Sequence, residues 1–213
     1  MKIKSLLIVL FFISKINSQD NFQEVIEDYS YIFELGDEVV ESVKKVRPLS
    51  SNETIRISNY NGQISFNLVN GQIHGFLNTK SPGDTLSVNY QNGILDGKFF
   101  FKSLDEEIII EGFFSKGIKD SIFRYTLNDV CLIVMFKEDI VDGPFIFYND
   151  DGSKVIGIIK DGEEKSNFMY DKDGELINMY GNMNRYRNQL NKFNESLRDF
   201  RKIFGLNSIL ENQ

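Results

Sequence analysis

The chain has one histidine, His74, in the turn NGQIHG, and one cysteine, Cys131, in the apolar run VCLIVMF. A Cys–His pair works as a nucleophile when the imidazole reaches the sulfur and holds it as thiolate. A zinc site needs several nitrogen or sulfur ligands around one point. With one residue of each type, distant in sequence and in unlike surroundings, neither arrangement is supported. A lone cysteine also forms no intrachain disulfide, and its apolar neighbours suit a buried, inert thiol.

Carboxylates are the other groups able to carry chemistry. Asp96, Asp120 and Asp142 align with His74 and Lys165 at one position of a recurring pattern. A position that takes His, Asp or Lys reads as a solvated turn site rather than a general base. On a sheet, carboxylates two strands apart would stand roughly 9.5 Å from each other, near the spacing of an inverting glycosidase. That reaction also needs a buried acid with a raised pKa, and Asp-Gly turns are wet. The acidic stretches NDDGS and DKDGE lack the twelve-residue loop and closing glutamate of an EF-hand; turn chemistry accounts for them. No catalytic residue, cofactor or metal is therefore expected. Asn52-Glu53-Thr54 and Asn194-Glu195-Ser196 are glycan sequons, meaningful only in a host with that machinery.

The elements that position these residues are repeated. The segment NGILDGKFFF, from Asn92, recurs as NGQIHGFLNT, KGIKDSIFRY, EDIVDGPFIF and DGEEKSNFMY. The small residues Gly75, Gly97, Ser121, Gly143 and Ser166 are 22, 24, 22 and 23 residues apart. Two positions beyond them stand Leu77, Phe99, Phe123, Phe145 and Phe168, and four beyond stand Thr79, Phe101, Tyr125, Phe147 and Tyr170. Spacing by two places both columns on one face of a strand. A second turn and an apolar return run follow each copy, such as TLSVNY, EIIIEGFF or CLIVMF. Each copy is thus a β-hairpin, with one more predicted near Thr54. Stacked hairpins bury a shared aromatic face that no single hairpin could.

The NGxxxG turn, the aromatic strand behind it and the period of 22–24 residues resemble MORN repeats, in particular the divergent variants of bacterial proteins labelled antitoxin-like. The resemblance covers Asn61 to about Tyr180; Glu138-Asp139 and Ser166 depart from its glycine pattern. It implies a mainly β, antiparallel meander of repeated hairpins, elongated and non-enzymatic, serving protein contacts or assembly. The array is assigned to residues 51–180.

The flanks differ in kind. Residues 1–18 combine Lys2 and Lys4, the apolar core LLIVLFFI and the small-ended tail Ile16-Asn17-Ser18. They read as a signal peptide cleaved after Ser18 and too short to span a bilayer, which takes about 20 apolar residues. Residues 19–50 show helical spacing at Phe22, Val25, Ile26, Tyr29 and Phe33, then a second short helical pattern, DEVVESVKKV, closed by Pro48. Residues 181–213 carry a heptad-like stripe on an amphipathic helix: Met183, Tyr186, Leu190, Phe193, Leu197, Phe200 and Phe204. Its six basic and two acidic residues between Asn182 and Phe204 give +4. Such a helix could cap the array, pair with a second copy as a homodimer, or lie on an anionic membrane surface.

The whole chain carries −7, and removing the leader takes away three lysines and no acid, leaving −10. That charge argues against nucleic acid as partner. Taken together, these features point to an exported, periplasmic or secreted, non-catalytic interaction module with an unidentified protein partner and no stable membrane insertion. The candidate contact residues are Tyr125, Phe147, Tyr170, Asp96, Asp120 and Asp142. A carbohydrate or small-ligand groove on the aromatic sheet face is the alternative, and a glycan-processing enzyme the third reading.

Overall fold

The computed structural model describes residues 49–59, 62–103 and 107–177, together with Val40 and the helical residues 184, 187–188, 190–195 and 198. The expected signal peptide and most of both helical flanks lie outside the described residues. What is described is mainly β, a single antiparallel meander sheet of fourteen strands.

The sheet opens with β1 (Glu53–Asn59) and β2 (Gly62–Val69), the extra hairpin predicted near Thr54. Next come β3 (Gln72–Ile73) and β4 (Gly75–Lys80), two pieces of one strand interrupted at His74, then β5 (Asp84–Gln91), β6 (Ile94–Ser103) and β7 (Ile108–Ser115). The pieces β8 (Ile118–Lys119) and β9 (Ser121–Leu127) are likewise interrupted at Asp120. The sheet continues through β10 (Val130–Lys137), β11 (Ile140–Tyr148), β12 (Lys154–Lys160) and β13 (Glu163–Tyr170) to β14 (Leu176–Ile177). Neighbours in sequence are neighbours in the sheet, so the described strands follow one another without a crossover.

The turns explain the recurring Asn-Gly signal. Asn70-Gly71, Asn92-Gly93, Lys116-Gly117, Glu138-Asp139 and Asp161-Gly162 each place two consecutive residues at positive φ. That pair of conformations makes a two-residue hairpin whose twist matches the strands it joins. Glu138 and Asp139 adopt it without any glycine, at φ 53° and 65°. The second residue of each turn donates its backbone N–H to the preceding rung. Gly93 bonds Ile73 O at 2.9 Å, Gly117 bonds Leu95 O at 2.7 Å, Asp139 bonds Lys119 O at 3.0 Å and Gly162 bonds Val141 O at 3.0 Å. Each hairpin is therefore anchored on the one before it.

A bulge lies behind every turn. Two steps on β5, Val88 to Tyr90, face four on β6, Leu95 to Phe99. The same excess recurs where Val134 to Phe136 faces Val141 to Phe145. Gly97 and Gly143 sit there at φ 115° and 135°, a region closed to most side chains, and Ser121 holds the equivalent place at φ 90°. Two extra residues leave the facing of the strand unchanged, so Phe99, Phe123 and Phe145 all point inward, at 6%, 0% and 2% exposure.

The inward face is the core. One cross-strand row runs Leu86, Phe101, Ile110, Tyr125, Leu132, Phe147, Val155, Met169 and Ile177, every member buried. Beside it rings interlock between two further rows, with Phe99–Phe114, Phe114–Phe123 and Phe123–Phe136 meeting edge to face at 5.7, 5.4 and 5.2 Å. Burying each ring removes on the order of 150–250 Å² from water. Gly112 and Gly157 leave room for them, since a Cβ there would fall 2.3 Å from the rings of Phe123 and Phe145.

The last hairpin departs from this scheme. Between β12 and β13 one step, Ile158 to Ile159, faces only two, Glu164 to Ser166. A single extra residue reverses the facing of all that follow. Met169 takes the buried place, and Phe168, expected in the inward column, is 54% exposed. Tyr170 shares the reversal, half-buried with Lys154 Nζ 5.7 Å from its ring centre.

Helical residues also reach the inward face. Phe193 is buried with its ring 5.3 Å from that of Phe147, and Leu190, partly buried, packs against the same core. Lys192 reaches Asp151 at 2.8 Å and Asp150 at 3.2 Å. Val40 belongs to the same core.

Candidate functional site

His74, Asp96, Asp120 and Asp142 all occupy bulge positions, in line along the sheet at intervals of two strands. Asp120 and His74 are exposed, while Asp96 and Asp142 are half-buried. Among the described residues no three His, Cys, Asp or Glu side chains converge to hold a metal ion. The acidic turns spend their carboxylates on their own backbone. Asp171 Oδ1 accepts the N–H groups of Asp173 at 3.0 Å and Glu175 at 2.8 Å. Asp151 Oδ1 accepts the N–H of Ser153 at 2.9 Å and its hydroxyl at 2.5 Å. Partial burial raises the Asp151 carboxyl, but the hydrogen bonds from Lys192 and Ser153 outweigh it and hold the group well below the usual range.

Cys131 lies on the outward face, half-buried instead of enclosed, with the Thr126 hydroxyl 3.7 Å from its sulfur. It is five strand spacings from His74, roughly 24 Å, so the two do not meet. Tyr125 and Phe147, expected as contact residues, have 0% exposure and serve the core. The ring faces that a sugar groove would need at those positions are inside the molecule.

Lys119 went unread as a sequence feature. It stands where the other rungs place Ile73, Leu95 and Val141, all buried, and it is buried too. Its ammonium lies 4.4 Å from the Phe136 ring centre and 5.5 Å from that of Phe123, and donates to Tyr125 Oη at 3.4 Å. Burial pushes its pKa down to about 7, against the pull of the Asp139 carboxylate. Asp139 Oδ1 accepts the Lys119 backbone N–H at 2.6 Å, which gives the glycine-free turn a use for its side chain. The signal was available in the alignment of IKDS with ILDG and IVDG.

The outward face offers the broadest surface for contact. One row runs Arg56, Ser65, Asn78, Ser87, Phe100, Glu111 and Arg124, then Ile133, Ile146, Ile156 and Phe168. Apart from Phe100 it is polar along the early strands and apolar along the late ones; beside its early part Phe76 and Phe113 are exposed. On one side of it Ile122 pairs with Met135 and Pro144 with Ile158; Ile122 and Ile158 are 58% and 52% exposed. On the other side Cys131, Tyr148, Lys154 and Tyr170 stand in line. Arg124 bridges to Glu111 at 3.6 Å where the polar and apolar parts meet.

Compared with known proteins, the chain matches no family model and no curated sequence. Among the described residues no helix is long and apolar enough to cross a membrane.

Proposed function

We propose that this chain is a non-catalytic, exported repeat protein of the MORN-like kind, acting as a protein-interaction or assembly module through the outward face of its sheet. The observation that carries this reading is the exposure of large apolar side chains on the outward face of neighbouring strands, Ile122, Met135, Ile158 and Phe168 among them. The largest exposed apolar patch of a monomer is often its functional surface. The separation of His74, Cys131 and the turn aspartates favours binding over catalysis.

In this reading the helical flanks are caps. The Phe193–Phe147 contact and the Lys192 bridges to Asp150 and Asp151 support the C-terminal segment lying on the array, ahead of a homodimer or a membrane contact through that helix. Export rests on residues 1–18 and their cleavage.

Affinity capture of the mature chain from its own cell envelope tests the proposal. A protein that co-purifies with the wild-type chain and is lost from a Phe168→Ser, Ile158→Ser chain is the expected result. Retention of sugar without any protein would turn the reading toward carbohydrate binding.

A further inference from the structure

Charge is divided by geometry in this molecule. The chain as a whole is acidic, −7, yet the three central rows of the outward face carry Arg56, Lys80, Lys98, Lys102, Arg124 and Lys154 against the single acid Glu111. Other acids sit on turns, such as Glu138, Asp139, Asp150 and Asp161, and at the bulges that border these rows, Asp96, Asp120 and Asp142. Four of these bases, Arg56, Lys80, Lys98 and Lys102, stand on the early strands and adjoin the isoleucines and Phe168 on the late ones, where only Arg124 and Lys154 of the six occur. We infer that the outward face docks an acidic polypeptide bearing apolar side chains, its carboxylates over the early strands and its apolar groups over β9 to β13. This inference rests on the interaction reading above and gives that surface its partner chemistry.

Size requires both halves. The apolar part spans four strand spacings and two residue pairs along each strand, a footprint of roughly 260 Å². A stable interface takes about 800 Å² from each partner. The full outward face, eleven spacings wide, offers roughly 700 Å² in projection, so a partner must cover the basic half as well.

Other occupants fit less well. A second copy would bring two basic faces together, which costs association. Nucleic acid would satisfy the lysines but gains nothing from the apolar side chains of Ile133, Ile146 and Ile156. An anionic bilayer would repel the acidic remainder of the chain.

A labelled glutamate–tyrosine copolymer is the probe, read by fluorescence anisotropy with polyglutamate, oligothymidylate and phosphatidylglycerol vesicles alongside. The copolymer should bind more tightly than any of the three, and binding should weaken as salt rises. The Lys80→Glu, Lys98→Glu chain, altered at two exposed positions, should lose roughly tenfold in affinity with an unchanged circular dichroism spectrum. Phe168→Ser should lose several-fold. Absence of copolymer binding, equal binding by the charge-reversed chain, or preference for the nucleotide or the vesicles overturns the inference. Capture of the same envelope protein by wild-type and charge-reversed chains also overturns it, while leaving the interaction reading intact.

Discussion

Phe145 and Phe168 hold the same place in the recurring pattern, two residues past a small residue that closes a turn. One is 2% exposed and the other 54%. The difference comes from the bulges before them. Four steps face two ahead of Phe145, while two face one ahead of Phe168. An even excess keeps a side chain on its face and an odd one sends it across. The residue at the bulge registers the change: Gly143 is at φ 135°, whereas Ser166 is not among the positive-φ residues. One rung thereby feeds the core, and the other supplies the outward face with a large ring.

The widest gap between the two rungs should appear in stability. Phe145→Ala should cost about 3–5 kcal/mol, the range for emptying a ring from a packed core. Phe168→Ala should stay within about 0.5 kcal/mol, as exposed substitutions do. Urea denaturation of both variants measures the comparison directly. Equal losses would place Phe168 in the core after all.

Lys119 extends the comparison to the third rung, where an inward position holds an amine. Its pKa is about 7 in the fold against an ordinary 10.5. Between those values the unfolded chain binds more protons than the folded one, so this group's contribution to stability rises with pH. Below about pH 7 it is charged in both states and the burial penalty is fully present. Lys119→Met should stabilise the protein by a few kcal/mol at pH 6, an ion in the core giving way to an apolar group. The advantage should shrink as pH approaches 10. Thermal melts of both chains at pH 6, 8 and 10 check the sign, and a constant difference would refute the assignment.

Ser121 tests the bulge itself. It stands at φ 90° where two neighbouring rungs have glycine. Ser121→Gly should relieve backbone strain and stabilise by about 1 kcal/mol, read as a shift of the urea midpoint at unchanged slope. Ser166→Gly, without that strain, should give no gain. The smallest effect is spectroscopic. The chain has no tryptophan, so Phe168→Trp provides a clean reporter that should emit as a solvated indole. Inserting one glycine between Lys165 and Ser166 lengthens the bulge but leaves residue 168 opposite Ile156, so the emission should remain that of a solvated indole.

Much of this molecule is written locally. Turn residues, the alternation of apolar side chains and the recurrence of small residues depend on a few neighbouring positions, and they sufficed to predict an antiparallel meander of hairpins and its inward aromatic rows. The same local pattern makes Asp96, Asp120 and Asp142 solvated turn sites; they stand at the bulges, where Asp120 is exposed and Asp96 and Asp142 are half-buried. The facing of Phe168 and Tyr170 was not legible, since it depends on a register shift of one residue that pairing with β12 decides. Nor was the half-buried state of Cys131, or the place of Lys119 beneath Phe136, because burial depends on which strands come to lie alongside. The basic outward face follows the same logic. The sequence by itself determined an acidic chain; only the sheet, by sending alternate residues to opposite sides, brought Arg56, Lys80, Lys98, Lys102, Arg124 and Lys154 onto one surface.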